Sequence, residues 1–89
     1  AGLHLTLLLT HLACADEPAH PLNGLQLERF AKVRSAFPGV PVSIGNSAAI
    51  LVGGAGGDLG RPGIGLYGGN PFPGMANPMA NVATLEGRV

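Results

Sequence analysis

In the first half of the chain, a nearly continuous apolar run is followed by a segment whose apolar residues recur at helical spacing. The run Leu3–Thr10 is bounded by polar residues, which predicts a strand buried on both faces. After the loop Ala15–Pro21, Asn23 is the expected N-cap of a helix and Gln26 its capping-box partner. The apolar positions of that helix are Leu22, Leu25, Phe30, Val33 and Phe37. Pro38 and Gly39 end it, so the pattern predicts one strand followed by one helix.

The second half repeats this order with shorter elements. Val40–Gly45 predicts a second strand, and Ala48–Val52 a short helical turn directly after it. Residues 53–74 then contain ten glycines and three prolines, a composition typical of loops. Within them, Asp58–Arg61 is the candidate third strand, and the next three residues a tight turn into Gly65–Tyr67. Val82–Val89 alternates weakly and is the candidate start of a further strand.

Alternating strands and helices indicate the α/β class, with parallel strands and helices packed outside them. One architecture with this order is a (β/α)8 barrel of the TIM type, which takes roughly 250 residues when complete. The 89 residues correspond to about three βα units, with open strand edges on both sides. A doubly wound sheet is the structural alternative.

Composition and charge narrow the functional classes. Five basic residues balance five acidic ones without a basic cluster, which argues against nucleic-acid and membrane-surface partners. The single Cys14 fits a reducing compartment, so we expect a cytoplasmic protein. The apolar run Leu3–Ala15 lacks the basic flank of a signal peptide and is too short to span a bilayer. Because the chain does not begin with Met, we expect it to start inside a larger protein.

The polar residues of interest follow the predicted strands at their carboxyl ends, where ligand sites of barrel and open α/β folds gather. Ser47 offers a hydroxyl and a backbone N–H at the start of a helical turn, and both suit an anion. Gly63 and Ile64 offer further backbone N–H groups, and Gly63 permits close approach. These groups describe a phosphate cradle. The residues at strand ends are His11, Asn46, Ser47 and Arg61.

Each of these residues also has a purely structural interpretation. Ser47 is a common type of helix N-cap. Arg61 precedes Pro62, as a surface turn residue often does, and Asp58 is a weak ion-pair candidate for it. His11 ends an apolar run, as a core histidine does. The three histidines lack carboxylates or cysteines at ligand spacing, so no metal site is expected.

Three motifs in this order resemble those of bacterial alanine racemases. They are Thr10–Glu17 (THLACADE), Ser43–Ile50 (SIGNSAAI) and Asp58–Gly68 (DLGRPGIGLYG). Asn77–Met79 and Val82–Val89 are similar to the segment that crosses into the family's carboxyl-terminal β domain. The resemblance implies that residues 1–76 form the last part of a barrel domain that binds pyridoxal phosphate. Residues 77–89 would begin the incomplete β domain.

The resemblance also implies a function and a role for each matching residue. The family interconverts L- and D-alanine for peptidoglycan synthesis, with pyridoxal 5'-phosphate as cofactor, as a homodimer. Ser47 and the backbone of Gly63 and Ile64 would hold the cofactor phosphate, and Asn46 would line that pocket. Arg61 would face the pyridine nitrogen. His11 would donate or accept a hydrogen bond that holds Arg61 in place.

No catalytic residue is expected within this chain. The resemblance requires a Schiff-base lysine and a catalytic tyrosine, and both would lie outside the 89 residues. Lys32, the sole lysine, falls in the predicted outer helix, and Tyr67 is interpreted as a packing residue. We therefore expect the isolated chain to be inactive. The alternatives are a segment of an amino-acid racemase with a broader substrate range and a non-catalytic, degenerate relative.

Overall fold

The computed structural model describes residues 2–53 and 55–89, and its elements follow the predicted order of strand, helix, strand, helix. The two strands pair in parallel, with Leu8 opposite Val42 and Leu9 opposite Ser43. Ala1 and Gly54, the latter in the predicted glycine-rich segment, lie outside the described residues. The elements are β1 (Leu8–Leu9), α1 (Pro21–Ser35), β2 (Val42–Ser43), α2 (Ser47–Val52) and a 3-10 helix (Ile64–Tyr67).

The first strand is much shorter than predicted. Only Leu8 and Leu9 of the run Leu3–Thr10 pair as a strand, and Leu3 and Leu9 are 93% and 55% exposed. A strand buried on both faces needs packed layers on both faces. Because Leu9 is more than half exposed, one face of β1 is not covered by the described residues, and the prediction of full burial is wrong for this chain.

Helix α1 begins earlier than predicted, because His20 rather than Asn23 is its N-cap. The imidazole Nδ1 of His20 accepts a hydrogen bond from the Leu22 N–H at 3.1 Å. Pro21 follows at the first helical position, where its missing N–H costs no hydrogen bond. Asn23 lies inside the first turn, and its amide donates to the carbonyls of Cys14 and Glu17.

Helix α2 begins directly after β2, and Asn46 is its N-cap. The Asn46 Oδ1 accepts a hydrogen bond from the Ala49 N–H at 3.0 Å. Ser47 is therefore the first residue of the helix, and its interpretation as the N-cap is wrong. A consequence is that the Ser47 hydroxyl is not used in capping α2.

The predicted third strand, Asp58–Arg61, is not a strand. The segment runs beside β2, but its regular pairing is limited to one antiparallel bridge between Ser43 and Gly57. The Asp58 carboxylate accepts the Val42 N–H at 2.8 Å. The Val42 N–H is therefore not free to bond to the backbone of a neighbouring strand, and the pairing with β2 does not extend beyond the single bridge. The predicted tight turn at residues 62–64 leads into a 3-10 helix, Ile64–Tyr67.

The core lies between α2, the loop after β1 and the residues after the 3-10 helix. The predicted strand opening in Val82–Val89 is absent, since this segment is exposed and has no pairing partner in the described part of the chain. Neither α-helix within residues 2–53 and 55–89 combines the length and hydrophobicity needed to cross a membrane. The buried core residues are Leu12, Ala15, Ala48, Ala49 and Phe72, with Leu27, Ile44 and Ala55 packed against them.

Candidate functional site

An open pocket of about 530 Å³ lies beside the residues that follow β1 and β2. Because parallel strands end at the same edge of a sheet, the segments after the two strands meet there. The pocket lining brings together all the residues that the sequence singles out, and it adds Asp16 and Asn70. The predicted residues are His11, Asn46, Ser47, Arg61, Gly63 and Ile64.

One end of the pocket is built around the Ser47 hydroxyl. Ser47 is 6% exposed, and its Oγ accepts hydrogen bonds from the N–H groups of Gly63 at 2.9 Å and Gly65 at 3.0 Å. A Cβ at position 65 would lie 3.2 Å from this oxygen, so glycine permits the close approach. A hydroxyl has two acceptor sites and one donor. Both acceptor sites are filled, and no acceptor for the hydroxyl proton exists among the described residues.

Backbone donors surround the same hydroxyl. Ser47 opens α2 and Ile64 opens the 3-10 helix, so their N–H groups belong to the unpaired donors at helix starts. Neither N–H has a hydrogen-bond acceptor within residues 2–53 and 55–89. Asn46, which caps α2, also lines the pocket. The arrangement offers hydrogen-bond donors to an anion.

The other end of the pocket is formed by Arg61, which is held by three acceptors. Its backbone N–H donates to the Gly45 carbonyl at 2.8 Å, which fixes where the side chain starts. Nη1 donates to the Ser43 Oγ, and Nη2 donates to the Thr10 carbonyl at 2.8 Å. Arg61 is half-buried, so its interpretation as a surface turn residue paired with Asp58 is wrong. The remaining guanidinium N–H groups are available to a ligand.

His11 lies in the pocket wall but does not hold Arg61. Its side chain makes no hydrogen bond to the guanidinium among the described residues, whose acceptors there are Thr10 and Ser43. The His11 carbonyl accepts a hydrogen bond from the Gln26 Nε2 at 2.9 Å. Because His11 is exposed, its interpretation as a core histidine is also wrong.

Two residues near the pocket have roles that the sequence did not assign. Ser43 lies within the second motif, and its side chain reaches Arg61 because β2 places it next to Thr10. The sequence shows a hydroxyl residue near the end of a predicted strand. It does not show the register of β1 against β2, which determines that Ser43 lies within reach of Arg61. Gln26 was assigned to a capping box. Its amide instead bonds to the Ala13 N–H and the His11 carbonyl, joining α1 to the pocket wall.

The groups that serve most often in covalent or metal chemistry lie elsewhere. Lys32 forms an exposed ion pair with Glu28 on α1, with Nζ 3.1 Å from Oε1, and does not line the pocket. Tyr67 is 67% exposed, so its interpretation as a packing residue does not hold within this chain. Within residues 2–53 and 55–89, no three His, Cys, Asp or Glu side chains gather as metal ligands would.

The comparisons with known proteins agree on one family. Residues 1–71 match the family model described as "Alanine racemase, N-terminal domain". An alanine racemase of Rhodospirillum rubrum is 54% identical over 84 residues, covering 93% of this chain and 22% of that protein. One of Rhizobium meliloti is 50% identical over 90 residues, covering 100% of this chain and 24% of that protein.

A solved structure shows the same likeness. The crystal structure of alanine racemase from Bartonella henselae with covalently bound pyridoxal phosphate matches with a TM-score of 0.76 at 36% identity. The match covers 85% of this chain and 22% of that one. The chain thus spans about a quarter or less of the length of the relatives it matches. By the extent of these matches, the chain belongs to the alanine racemase N-terminal domain family.

Proposed function

We propose that this chain is a segment of a pyridoxal-phosphate-dependent racemase that interconverts L- and D-alanine, and that it contributes contacts to the cofactor. Membership of the family supports the activity, and the relatives named above carry it in their names. The observation that carries the cofactor assignment is the buried Ser47 hydroxyl, whose acceptor sites are filled and whose proton has no partner in the described chain.

The phosphate of the cofactor matches the donors around Ser47. A phosphate group at neutral pH offers chiefly acceptor oxygens, and it is bound well by hydroxyl and backbone N–H groups at helix starts. The Ser47 hydroxyl and the N–H groups of Ser47 and Ile64 are such donors. The Gly63 N–H, which the resemblance assigned to the phosphate, donates to the Ser47 Oγ instead, so Gly63 lies beside the proposed phosphate site without offering that N–H. We assign the phosphate to this end of the pocket, with Asn46 in its wall.

The pyridine nitrogen of the cofactor matches Arg61. When bound, the cofactor withdraws electrons from the substrate Cα. A guanidinium stays protonated and can donate a hydrogen bond to a ring nitrogen, but it does not supply the proton that would give the ring a full positive charge. Arg61 therefore keeps the ring a moderate electron sink, which favours rapid return of a proton to Cα. That balance suits racemisation.

The proposal extends to the rest of the enzyme. Residues 1–76 would form the last part of a (β/α)8 barrel, and residues 77–89 would lead into a carboxyl-terminal β domain. The catalytic lysine and tyrosine would come from other parts of a homodimer, since Lys32 lies on α1 outside the pocket. We place the enzyme in the cytoplasm, supplying D-alanine for peptidoglycan, without nucleic-acid or membrane partners.

A hybrid enzyme tests the proposal. The 89 residues replace the matching segment of the Rhodospirillum rubrum racemase, to which they are 54% identical. We expect the hybrid to bind pyridoxal phosphate and to racemise L-alanine, measured by the loss of optical rotation. The unmodified relative is the positive control.

The hybrid also separates the alternatives on substrate and function. Racemisation of serine or lysine at a rate comparable to that of alanine, by the hybrid but not by the unmodified relative, would indicate a racemase of broader range. A folded hybrid that neither retains the cofactor nor racemises alanine would refute the proposal, because only this segment differs from the active relative.

A further inference from the structure

Ser43 is the most completely buried polar side chain described near the pocket, and it makes two hydrogen bonds. It is 0% exposed. Its Oγ accepts a hydrogen bond from the Arg61 Nη1 and donates one to the Leu59 carbonyl at 2.7 Å. The hydroxyl therefore links the guanidinium to the backbone two residues before it, and its proton has a fixed direction.

The second acceptor of the guanidinium is tied to the same place. The Arg61 Nη2 donates to the Thr10 carbonyl at 2.8 Å. Thr10 in turn donates its N–H to the Ser43 carbonyl at 3.0 Å, which continues the parallel pairing of β1 with β2. Both acceptors thus belong to adjacent strand ends, and the guanidinium bridges them.

We infer that Ser43 is a positioning residue, which sets the direction in which Arg61 presents its remaining N–H groups to the pocket. The inference rests on the proposed function, because the ligand of Arg61 is the cofactor ring proposed above. No role was assigned to Ser43 from the sequence, although it lies in the second motif. Ser43 acts through Arg61 and does not line the pocket itself.

A hydroxyl is suited to this place because it accepts and donates at once. The guanidinium only donates hydrogen bonds and the Leu59 carbonyl only accepts them, so a single side chain that bonds to both must accept one and donate the other. Alanine at position 43 would leave the Arg61 Nη1 donor and the Leu59 carbonyl, both in part-buried hydrogen bonds, without this partner. Arg61 would keep its bond to Thr10 but lose the second point that fixes the plane of the guanidinium.

The functional test uses the hybrid racemase with Ser43→Ala. We expect kcat to fall about tenfold, while the dissociation constant for pyridoxal phosphate changes less than about twofold, because the phosphate donors lie around Ser47. General damage to the fold would weaken both. The matched control is Ser35→Ala, an exposed residue of α1 whose hydroxyl donates to the Lys32 carbonyl. It is expected to change neither quantity.

A double-mutant cycle asks whether Ser43 acts through Arg61. If it does, Ser43→Ala has no further effect on kcat in an Arg61→Ala background, because there is no guanidinium left to position. An equal tenfold loss in both backgrounds would overturn the inference.

A second readout needs no enzymatic activity. Nitrogen-15 relaxation of the Arg61 Nε in the 89-residue chain is expected to report a rigid side chain, and a mobile one after Ser43→Ala. Failure of the unmodified hybrid to racemise would refute the proposed function and leave this measurement intact. Unchanged Arg61 mobility in Ser43→Ala would overturn the role of Ser43, whatever the activity of the hybrid.

Discussion

At the residue scale, the guanidinium of Arg61 is anchored at two points, the Ser43 hydroxyl and the Thr10 carbonyl. Parallel strands end at one edge, so His11, Asn46 and Ser47 were expected to meet without knowledge of side-chain positions. The acceptors of Arg61 depend on the pairing register and on its side-chain conformation, which no local pattern encodes. The family resemblance implied His11 as the partner of Arg61, whereas the structure gives Thr10 and Ser43.

Replacing Arg61 by lysine tests whether the two hydrogen bonds of the guanidinium, to Ser43 and Thr10, stabilise the fold. A lysine presents a single ammonium and cannot match the two-point bond to Ser43 and Thr10. We expect Arg61→Lys to lower the free energy of unfolding of the chain by about 1–3 kcal/mol, measured by thermal unfolding. Arg34→Lys, on an exposed residue at the end of α1, is the matched control and is expected to change it little. Equal stability of the two variants would show that Arg61 is not anchored.

At the element scale, the type and order of the helices and first two strands follow from the apolar pattern, whereas their ends do not. Asn23 and Ser47 are good N-cap types. The observed N-caps are instead His20, three residues before Asn23, and Asn46, directly before Ser47. Each helix begins directly after an extended residue whose side chain accepts a hydrogen bond from the first turn, His20 for α1 and Asn46 for α2. Pro21 favours the first helical position, so α1 begins before Asn23. The predicted third strand does not form, because the Asp58 carboxylate accepts the Val42 N–H that a neighbouring strand would otherwise bond.

The cap of α1 can be tested by substitution of His20. Removing the acceptor with His20→Ala leaves the Leu22 N–H without its partner, and we expect a loss of about 0.5–2 kcal/mol in the free energy of unfolding. His20→Asp restores an acceptor of a preferred type, and should unfold at a higher temperature than the alanine variant. His4→Ala, at an exposed residue, serves as the control. The cap assignment is wrong if His20→Ala and His4→Ala unfold at the same temperature.

The segment that leads to Arg61 depends on close approach at Gly57. Gly57 and Gly39 have similar positive φ angles, 73° and 81°, but a Cβ would meet the Val42 oxygen at 2.7 Å in the first case and nothing within 4 Å in the second. Both alanine variants carry the same backbone strain, about 1 kcal/mol. We expect Gly57→Ala to cost at least about 1 kcal/mol more than Gly39→Ala in thermal unfolding. Equal costs would contradict the approach of this segment to β2.

At the scale of the whole molecule, the chain is elongated and leaves much apolar surface exposed. Its radius of gyration is 16.1 Å, whereas a compact domain of this length has roughly 12 Å. Apolar residues along α2 and after it are partly exposed, which is consistent with a segment that packs against further layers of a larger fold. The exposed residues include Ile50, Leu51, Val52, Leu66 and Met75.

Two predictions about strands at the ends of the chain failed for this reason. The run Leu3–Thr10 has the pattern of a buried strand and Val82–Val89 a weak alternation, but within the described chain most of the first segment and all of the second are unpaired. A hydrophobic pattern reflects the surroundings in which a segment is buried, and the described residues do not supply those surroundings for these two segments. The pocket is different, because the residues that hold it together lie within the chain.

The cofactor's affinity for the hybrid racemase with Ser47→Ala tests the central claim most directly. The substitution removes the buried hydroxyl that holds Gly63 and Gly65 and has a free proton to donate. We predict that the dissociation constant for pyridoxal phosphate, measured by equilibrium dialysis, rises about tenfold or more, and that Ser35→Ala leaves it unchanged. An unchanged dissociation constant in a folded Ser47→Ala hybrid would contradict the assignment of this pocket to the cofactor phosphate.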